Sequence, residues 1–179
     1  RAADKFKDET WADLVFSIML GTNDSAIEGT NGCPVAPERY YENMKTIINR
    51  LLALYPNCRI VVHRPLWYSP NTYNGAKYLE EGLRRLQDYY PQIQRLVDYY
   101  ASHFPGQVFL GDTKGFDYFK ENHLTDFQVE KGNAGVFYLH PNEKGAVRLG
   151  ELWSEAIRQA LGLFRSIYRY DKQVFVYLF

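Results

Sequence analysis

Two short polar segments of this sequence contain the residue types that acid–base chemistry at a carbonyl group requires. Asn23 lies in the segment Gly21–Asp24, directly after an apolar run, and His140 directly precedes a helical pattern. An asparagine side chain can donate hydrogen bonds to a developing oxyanion, and a histidine can take a proton from a nucleophile. These are two of the components that attack on an ester needs.

The segments around Asn23 and His140 alternate between strand and helix patterns. Continuous apolar runs, typical of buried parallel strands, predict strands at residues 13–20, 59–63 and 107–112. Apolar residues at helical spacing predict helices at residues 38–55, 78–104 and 141–161, with a kink or break at Pro91. Residues 114–139 are predicted to be irregular or only locally helical. This alternation predicts a three-layer α/β/α sandwich with a parallel sheet and right-handed crossovers. Ligands of such folds bind at the carboxyl ends of the strands.

Composition excludes several kinds of partner and cofactor. The 21 basic and 21 acidic residues cancel, which removes the electrostatic argument for a nucleic-acid partner. No window reaches the roughly 18 to 20 apolar residues that a membrane span needs. The histidines and the two cysteines, Cys33 and Cys58, lack metal-ligand spacing, so we expect no metal, although a disulfide between the cysteines is possible. No glycine-rich phosphate loop follows a strand, which disfavours a nucleotide-binding protein, and we expect no cofactor.

Two motifs in this order resemble conserved blocks of a known superfamily. "GTND" at residues 21–24 and "HPNEKGA" at residues 140–146 are similar to the third and fifth blocks of the SGNH, or GDSL-type, esterase/lipase superfamily. The loop "VVHRPLWYSPNTYN" between them resembles that of bacterial carbohydrate esterases. The resemblance covers roughly residues 10–162 and implies the flavodoxin-like fold of that superfamily. It also implies a serine ester hydrolase acting on a small-molecule or carbohydrate ester, and it favours export to the periplasm or the cell exterior.

The resemblance also implies roles for individual residues. Asn23 matches the oxyanion donor, and His140 matches the general base that activates the serine and then protonates the leaving alcohol. Gly21 matches the glycine of a tight turn. Asp24 is expected to order the loop through hydrogen bonds to backbone N–H groups. The loop that follows residue 63 predicts a sugar site, because its aromatic rings can stack on sugar rings and its Asn and Tyr side chains can bond to sugar hydroxyls. Its predicted members are His63, Trp67, Tyr68, Asn71 and Tyr73, although for His63 a strand-end histidine bonded to the backbone is an equal alternative.

The superfamily's nucleophile has no counterpart in this sequence. Its G-D-S block and the glycine of its second block precede the third block, whereas this chain begins only one short helix before "GTND". We therefore expect residues 1–164 to be an N-terminally incomplete hydrolase domain that is inactive by itself. The alternatives are an inactive fragment or a non-catalytic carbohydrate-binding α/β domain. Thr113 in "FLGDTKG" imitates the serine of a G-D-S block, but its place between the third and fifth blocks favours a coincidental match. For Ser25 a loop or cap role is preferred over that of a substitute nucleophile.

The acid of the catalytic triad also departs from the superfamily pattern. The usual aspartate three residues before the histidine is replaced by Phe137. Either His140 works in a dyad, or Asp126, Glu130 or Asp112 reaches it, and Asp126 is the preferred candidate. A separate extension at residues 165–179 ends in an alternating apolar pattern. That pattern is consistent with an edge strand, a chain-end artefact or a disordered extension.

Overall fold

The computed structural model describes residues 13–162 and the backbone of a further strand at residues 173–178. In chain order the elements are β1 (Asp13–Ile18), α1 (Thr22–Ser25), α2 (Pro37–Leu54), β2 (Arg59–Val62), α3 (Leu79–His103), β3 (Val108–Leu110), α4 (Gly115–Asp126), β4 (Glu130–Gly132), β5 (Gly135–Phe137), α5 (Glu143–Ala160) and β6 (Gln173–Leu178). None of the helices in this part of the chain is long and apolar enough to cross a membrane. Cys33 and Cys58 are both free thiols.

The main sheet is parallel and has the strand order β3-β2-β1-β6. Ile18 at the end of β1 pairs with Val62 of β2, and Val62 pairs with Leu110 of β3. On its other side Ile18 pairs with Leu178 of β6, so the extension contributes an edge strand. The predicted α/β fold with a parallel sheet is therefore confirmed.

Helices cover both faces of this sheet. Alternate residues of the two central strands, including Phe16 and Ile60, pack into the larger apolar cluster, to which α2 and α3 contribute. The intervening residues Val15 and Val61 pack on the opposite face against Trp153 and Ile157 of α5. The side-chain alternation along a strand thus separates two helical layers.

The connections place a crevice at the carboxyl edge of β1. From β1 the chain runs through β2 to β3 with helices on one face. It then returns through α5 on the other face to β6, on the opposite side of β1. A sheet whose strand order reverses in this way has a crevice between the two strands at the reversal, where ligands bind. The loops after β1 and before α5 both reach this crevice.

Three features differ from the predicted elements. Pro91 lies inside α3, which runs unbroken because its buried stripe continues in phase on both sides while Pro91 is exposed. Residues 114–139 contain the 12-residue helix α4 and the antiparallel hairpin β4–β5. The segment after β1 is the one-turn helix α1, not a loop.

Candidate functional site

A cleft of about 1030 Å³ lies at the carboxyl edge of β1, and it brings together the two polar segments that the sequence analysis singled out. Gly21, Asn23, Asp24 and His140 all line it. Aromatic side chains of Tyr40, Trp67, Tyr68, Tyr78 and Trp153 also line it. A cleft of this size is sufficient for a small ligand.

Gly21 makes the turn that leads from β1 into the cleft. Its φ is +128°, a conformation that residues with a side chain rarely adopt. A Cβ at this position would lie 3.2 Å from the rings of Tyr40 and Tyr89 and 3.3 Å from Pro65. Both the turn and the close packing therefore require glycine here.

Asn23 presents its side chain to the cleft from α1. The hydroxyl of Tyr78 donates a hydrogen bond of 2.8 Å to Asn23 Oδ1. The main-chain carbonyl of Asn23 accepts a further bond of 2.7 Å from Thr30 Oγ1. Because Oδ1 is occupied, the Nδ2 amide is the end of the side chain that remains available to a ligand. Such an amide can donate to an oxyanion.

Asp24 does not order its loop in the predicted way. Within residues 13–162 its carboxylate makes no hydrogen bond to a backbone N–H, and the Val35 N–H donates to the main-chain carbonyl of Asp24 at 3.0 Å. The α1 backbone is closed by the bond from Ser25 N–H to Gly21 O at 3.0 Å. Backbone groups therefore hold the turn, and the half-buried carboxyl of Asp24 lines the cleft. Burial raises its pKa.

Ser25 faces away from the cleft. Its side chain is buried, and its Oγ donates to the carbonyl of Thr22 at 2.7 Å and shares a hydrogen bond of 2.9 Å with the Tyr68 hydroxyl. The loop or cap role predicted for Ser25 matches this arrangement.

His140 is paired with a carboxylate of the β4–β5 hairpin. Its Nδ1 lies 3.0 Å from Glu130 Oε2 and 3.1 Å from Oε1, and its backbone N–H donates to Oε1 at 3.2 Å. A carboxylate only accepts hydrogen bonds, so Nδ1 carries the proton and Nε2 holds the free lone pair. The His140 side chain is 58% exposed and that of Glu130 is 22% exposed. This pair is therefore an oriented base that remains accessible from the cleft.

The prediction that Asp126 is the partner of His140 is wrong. The Asp126 side chain has no exposed surface, and it accepts hydrogen bonds from Tyr118, Thr125 and Lys144. Burial acts to raise the pKa of this carboxyl, but these three hydrogen bonds lower it. Asp126 thus joins α4 to the start of α5.

A carboxylate lies directly across the hairpin from the position where the superfamily pattern lacks an aspartate. Phe137, three residues before His140, is the register partner of Glu130 in the β4–β5 pairing. Residues paired in this way lie side by side on one face of a hairpin. A carboxylate on the partner strand therefore reaches the histidine that follows β5.

His63 does not lie in the cleft, contrary to its predicted role in a sugar site. Its side chain is fully buried, and its ring stacks on Trp153 with 4.3 Å between ring centroids. Its Nδ1 accepts from the Asp112 N–H, and its Nε2 lies 2.8 Å from Ser17 Oγ. Burial lowers the pKa of His63 to about 3. The alternative interpretation, a strand-end histidine bonded to the backbone, matches this environment.

Asp112 is also excluded as the partner of His140. Its carboxylate accepts hydrogen bonds from the backbone N–H groups of Lys114 and Gly115 at the start of α4.

The loop between β2 and α3 supports the site more than it lines it. Trp67 and Tyr68 reach the cleft, although both are largely buried. Asn71 Nδ2 donates to the carbonyls of residues 134 and 136, and the Tyr73 carbonyl accepts from the Asn133 N–H at 2.8 Å. Asn71 and Tyr73 were predicted to bind sugar, but neither lines the cleft. Both instead anchor the hairpin that carries Glu130.

Within the described residues, His140 is accompanied by neither a metal-binding cluster nor a hydrogen-bonded hydroxyl. No cluster of three or more His, Cys, Asp or Glu residues suited to a metal occurs in the described part of the chain. Within residues 13–162, the side-chain partner of His140 is Glu130, and no hydroxyl is hydrogen-bonded to the imidazole. The site thus combines an oriented base with an amide donor.

A family model described as the GDSL-like lipase/acylhydrolase family matches residues 1–148. No curated protein and no solved structure matches the chain.

Proposed function

Because the chain belongs to the GDSL-like lipase/acylhydrolase family, we propose that it is a serine ester hydrolase that removes acetyl or similar small acyl groups from carbohydrate. Membership supports ester hydrolysis in general.

The observation that carries this proposal is the His140–Glu130 pair in the same cleft as the Asn23 amide. In the proposed mechanism, His140 Nε2 takes the proton of a serine hydroxyl while the serine oxygen attacks the ester carbonyl. The carbonyl oxygen becomes an oxyanion, which Asn23 Nδ2 stabilises. The protonated His140 then donates to the leaving alcohol, and a water molecule repeats the sequence to release the acid.

Glu130 takes the role of the orienting acid in this mechanism. It holds the proton of the imidazole on Nδ1 and stabilises the imidazolium that forms when Nε2 takes up a second proton. Because no hydroxyl within residues 13–162 is hydrogen-bonded to the His140 imidazole, the proposal assigns the serine to a part of the protein outside those residues. Secretion or export, which the sequence resemblance favours, fits an enzyme that acts on external carbohydrate.

The lining of the cleft supports a carbohydrate substrate. Asn43 and Asn74 line the cleft and offer amide groups to sugar hydroxyls, while the largely buried rings of Trp67 and Tyr78 form part of its aromatic lining. The lining also includes the apolar side chains of Met44 and Leu149, which form no hydrogen bonds and suit the methyl group of an acetyl ester.

Substrate panels on the full-length gene product test this proposal. We expect hydrolysis of p-nitrophenyl acetate and of acetylated xylo-oligosaccharides, with a kcat/KM for octanoate esters at least about tenfold lower. A preference for octanoate would contradict the small acyl group. Equal rates on sugar and non-sugar acetates would contradict the proposal that the substrate is a carbohydrate ester. If no ester is hydrolysed, the proposal that the protein is an ester hydrolase is contradicted.

A non-catalytic carbohydrate-binding domain is the second candidate. It is favoured by one observation, that no hydroxyl within residues 13–162 is hydrogen-bonded to His140. Calorimetric titration of an acetylated oligosaccharide into the full-length protein distinguishes the two candidates. Binding with no released acetate supports the binding domain, whereas acetate release supports the hydrolase.

A further inference from the structure

Asn23 can donate to an oxyanion only if the correct end of its carboxamide faces the cleft. A rotation of about 180° around the last side-chain bond would replace the Nδ2 donor by the Oδ1 acceptor, which would repel an oxyanion. The side chain is exposed at the cleft, so packing alone does not fix this choice. A specific partner is needed to hold the amide in one orientation.

We propose that Tyr78 is a positioning residue that fixes the orientation of the Asn23 carboxamide, an inference that rests on the proposed function. The Tyr78 hydroxyl donates to Asn23 Oδ1 at 2.8 Å and so leaves Nδ2 toward the cleft. The two residues are separated by 55 positions in sequence, and no superfamily block includes Tyr78. The contact therefore comes from the fold of this chain.

Tyr78 is itself held firmly, which a positioning residue must be. It is 3% exposed, and its ring packs edge-on against Tyr68 with 5.3 Å between centroids. The N–H groups of Tyr78 and Leu79 both donate to the carbonyl of Thr72, at 3.2 and 3.1 Å. The hydroxyl of Tyr78 is thus attached to a fixed ring and a fixed backbone.

The backbone directly after Tyr78 adopts a conformation that its sequence disfavours. Leu79 has a φ of +55°, and within the described residues it is the non-glycine residue found at positive φ. A residue with a branched side chain is kept in this region only when the surrounding structure imposes it. The left-handed conformation of Leu79 lets α3 begin immediately after Tyr78, whose hydroxyl bonds Asn23.

The same loop also holds the segment that carries His140. Thr72 Oγ1 donates to the Ser69 carbonyl at 2.7 Å. Ser69 exchanges two bonds with Tyr138, since its N–H donates to the Tyr138 carbonyl at 2.9 Å and its Oγ accepts from the Tyr138 N–H at 2.8 Å. Tyr138 lies two residues before His140. One hydrogen-bonded path, buried at Ser69 and Thr72, therefore links the orientation of the Asn23 amide to the position of His140.

The test compares Tyr78→Phe with a matched variant, Tyr100→Phe. Tyr100 is also fully buried and donates to an asparagine Oδ1, that of Asn49 at 2.6 Å, but it does not line the cleft. In the full-length enzyme Tyr78→Phe should lower kcat about tenfold and change KM less than about twofold. Tyr100→Phe should leave both within about twofold. Equal effects of the two variants would overturn the proposal.

A double-mutant cycle separates positioning from a general structural effect. In an Asn23→Ala background, Tyr78→Phe should change kcat by less than about twofold, because the amide that it orients is gone. A tenfold loss in that background would overturn the proposal.

The mobility of the Asn23 side-chain amide, measured by ¹⁵N relaxation, gives a readout that does not need activity. The amide should be ordered in the wild-type chain and in Tyr100→Phe, and mobile in Tyr78→Phe. Equal mobility in all three would overturn the positioning role. If no ester is hydrolysed but the amide becomes mobile in Tyr78→Phe, the proposed function fails and the positioning role stands.

Discussion

Acidification should destabilise this protein through His63. The ring is fully buried between the sheet and α5, and both of its nitrogens are already engaged. Nδ1 accepts from the Asp112 N–H, so the neutral ring carries its proton on Nε2, toward Ser17 Oγ. A second proton would have to occupy Nδ1, where it would face a donor.

The size of this effect follows from the pKa. Burial lowers the pKa of His63 from 6.5 to about 3. The unfolded chain therefore takes up the proton at a higher pH than the folded chain, and stability decreases as the pH falls below about 6.5. Each unit of pKa difference corresponds to about 1.36 kcal/mol. We expect a loss of about 2 kcal/mol by pH 5, rising to about 4 kcal/mol near pH 3.

Urea unfolding at pH 7, 6 and 5 measures this contribution. The variant His63→Phe keeps an aromatic ring beside Trp153 but cannot titrate, so its free energy of unfolding should fall about 2 kcal/mol less between pH 7 and pH 5 than that of the wild type. His103→Gln, which alters an exposed histidine of α3, should keep the wild-type dependence. The same pH dependence in His63→Phe and the wild type would refute this reasoning. If His63 were instead open to the cleft and bound sugar, its protonation would not be opposed by burial, and this decrease in the free energy of unfolding would not occur.

Other predictions concern the carboxylates, the turn glycine and the loop. Glu130→Gln should lower kcat by about 10- to 100-fold, because the His140 imidazolium loses its carboxylate. Asp126→Asn should leave kcat within about twofold but lower the free energy of unfolding by about 2 kcal/mol; kinetics and urea unfolding of both variants check this, and the reverse pattern would restore Asp126 as the acid. Gly21→Ala should cost about 1 to 3 kcal/mol of stability, because its φ of +128° disfavours a side chain. An unchanged urea midpoint would show that the turn tolerates a Cβ.

The sheet and its long helices could be predicted because they are encoded by local patterns. The strand pattern of residues 13–20 and the helical stripe of residues 38–55 correspond to β1 and α2. Each pattern is long and strongly apolar, and burial reinforces it. In contrast, α4 buries Phe116 and Phe119 among polar residues and gives little periodic signal. Asp112, whose carboxylate bonds the first N–H groups of α4, was the available sign of a helix start.

The carboxylate that pairs with His140 could not be predicted because its position depends on a strand register. Glu130 reaches His140 only when β4 and β5 pair so that residues 130 and 137 face each other. Three-residue strands leave almost no sequence pattern, so their pairing was not visible. Asp126, four residues earlier, is also a carboxylate in the same stretch of sequence, so the sequence alone did not distinguish it from Glu130.

The role of His63 depended in the same way on the third dimension. A strand-end position suits a cleft residue and a core residue equally. The deciding contact, with Trp153 of α5, is 90 residues away in sequence. The Tyr78 contact with Asn23 is another long-range contact that no local motif announces. By comparison, Asn23 and His140 were found because each lies in a recognisable motif.

The rate of ester hydrolysis by His140→Ala in the full-length protein tests the central claim most directly. If His140 is the base of a serine ester hydrolase, kcat/KM for p-nitrophenyl acetate should fall by at least about 10³-fold. Because the His140 side chain is exposed, its removal should not unfold the protein. An unchanged urea midpoint would establish that the loss of rate does not come from unfolding. A His140→Ala enzyme within about tenfold of the wild-type rate would contradict the claim.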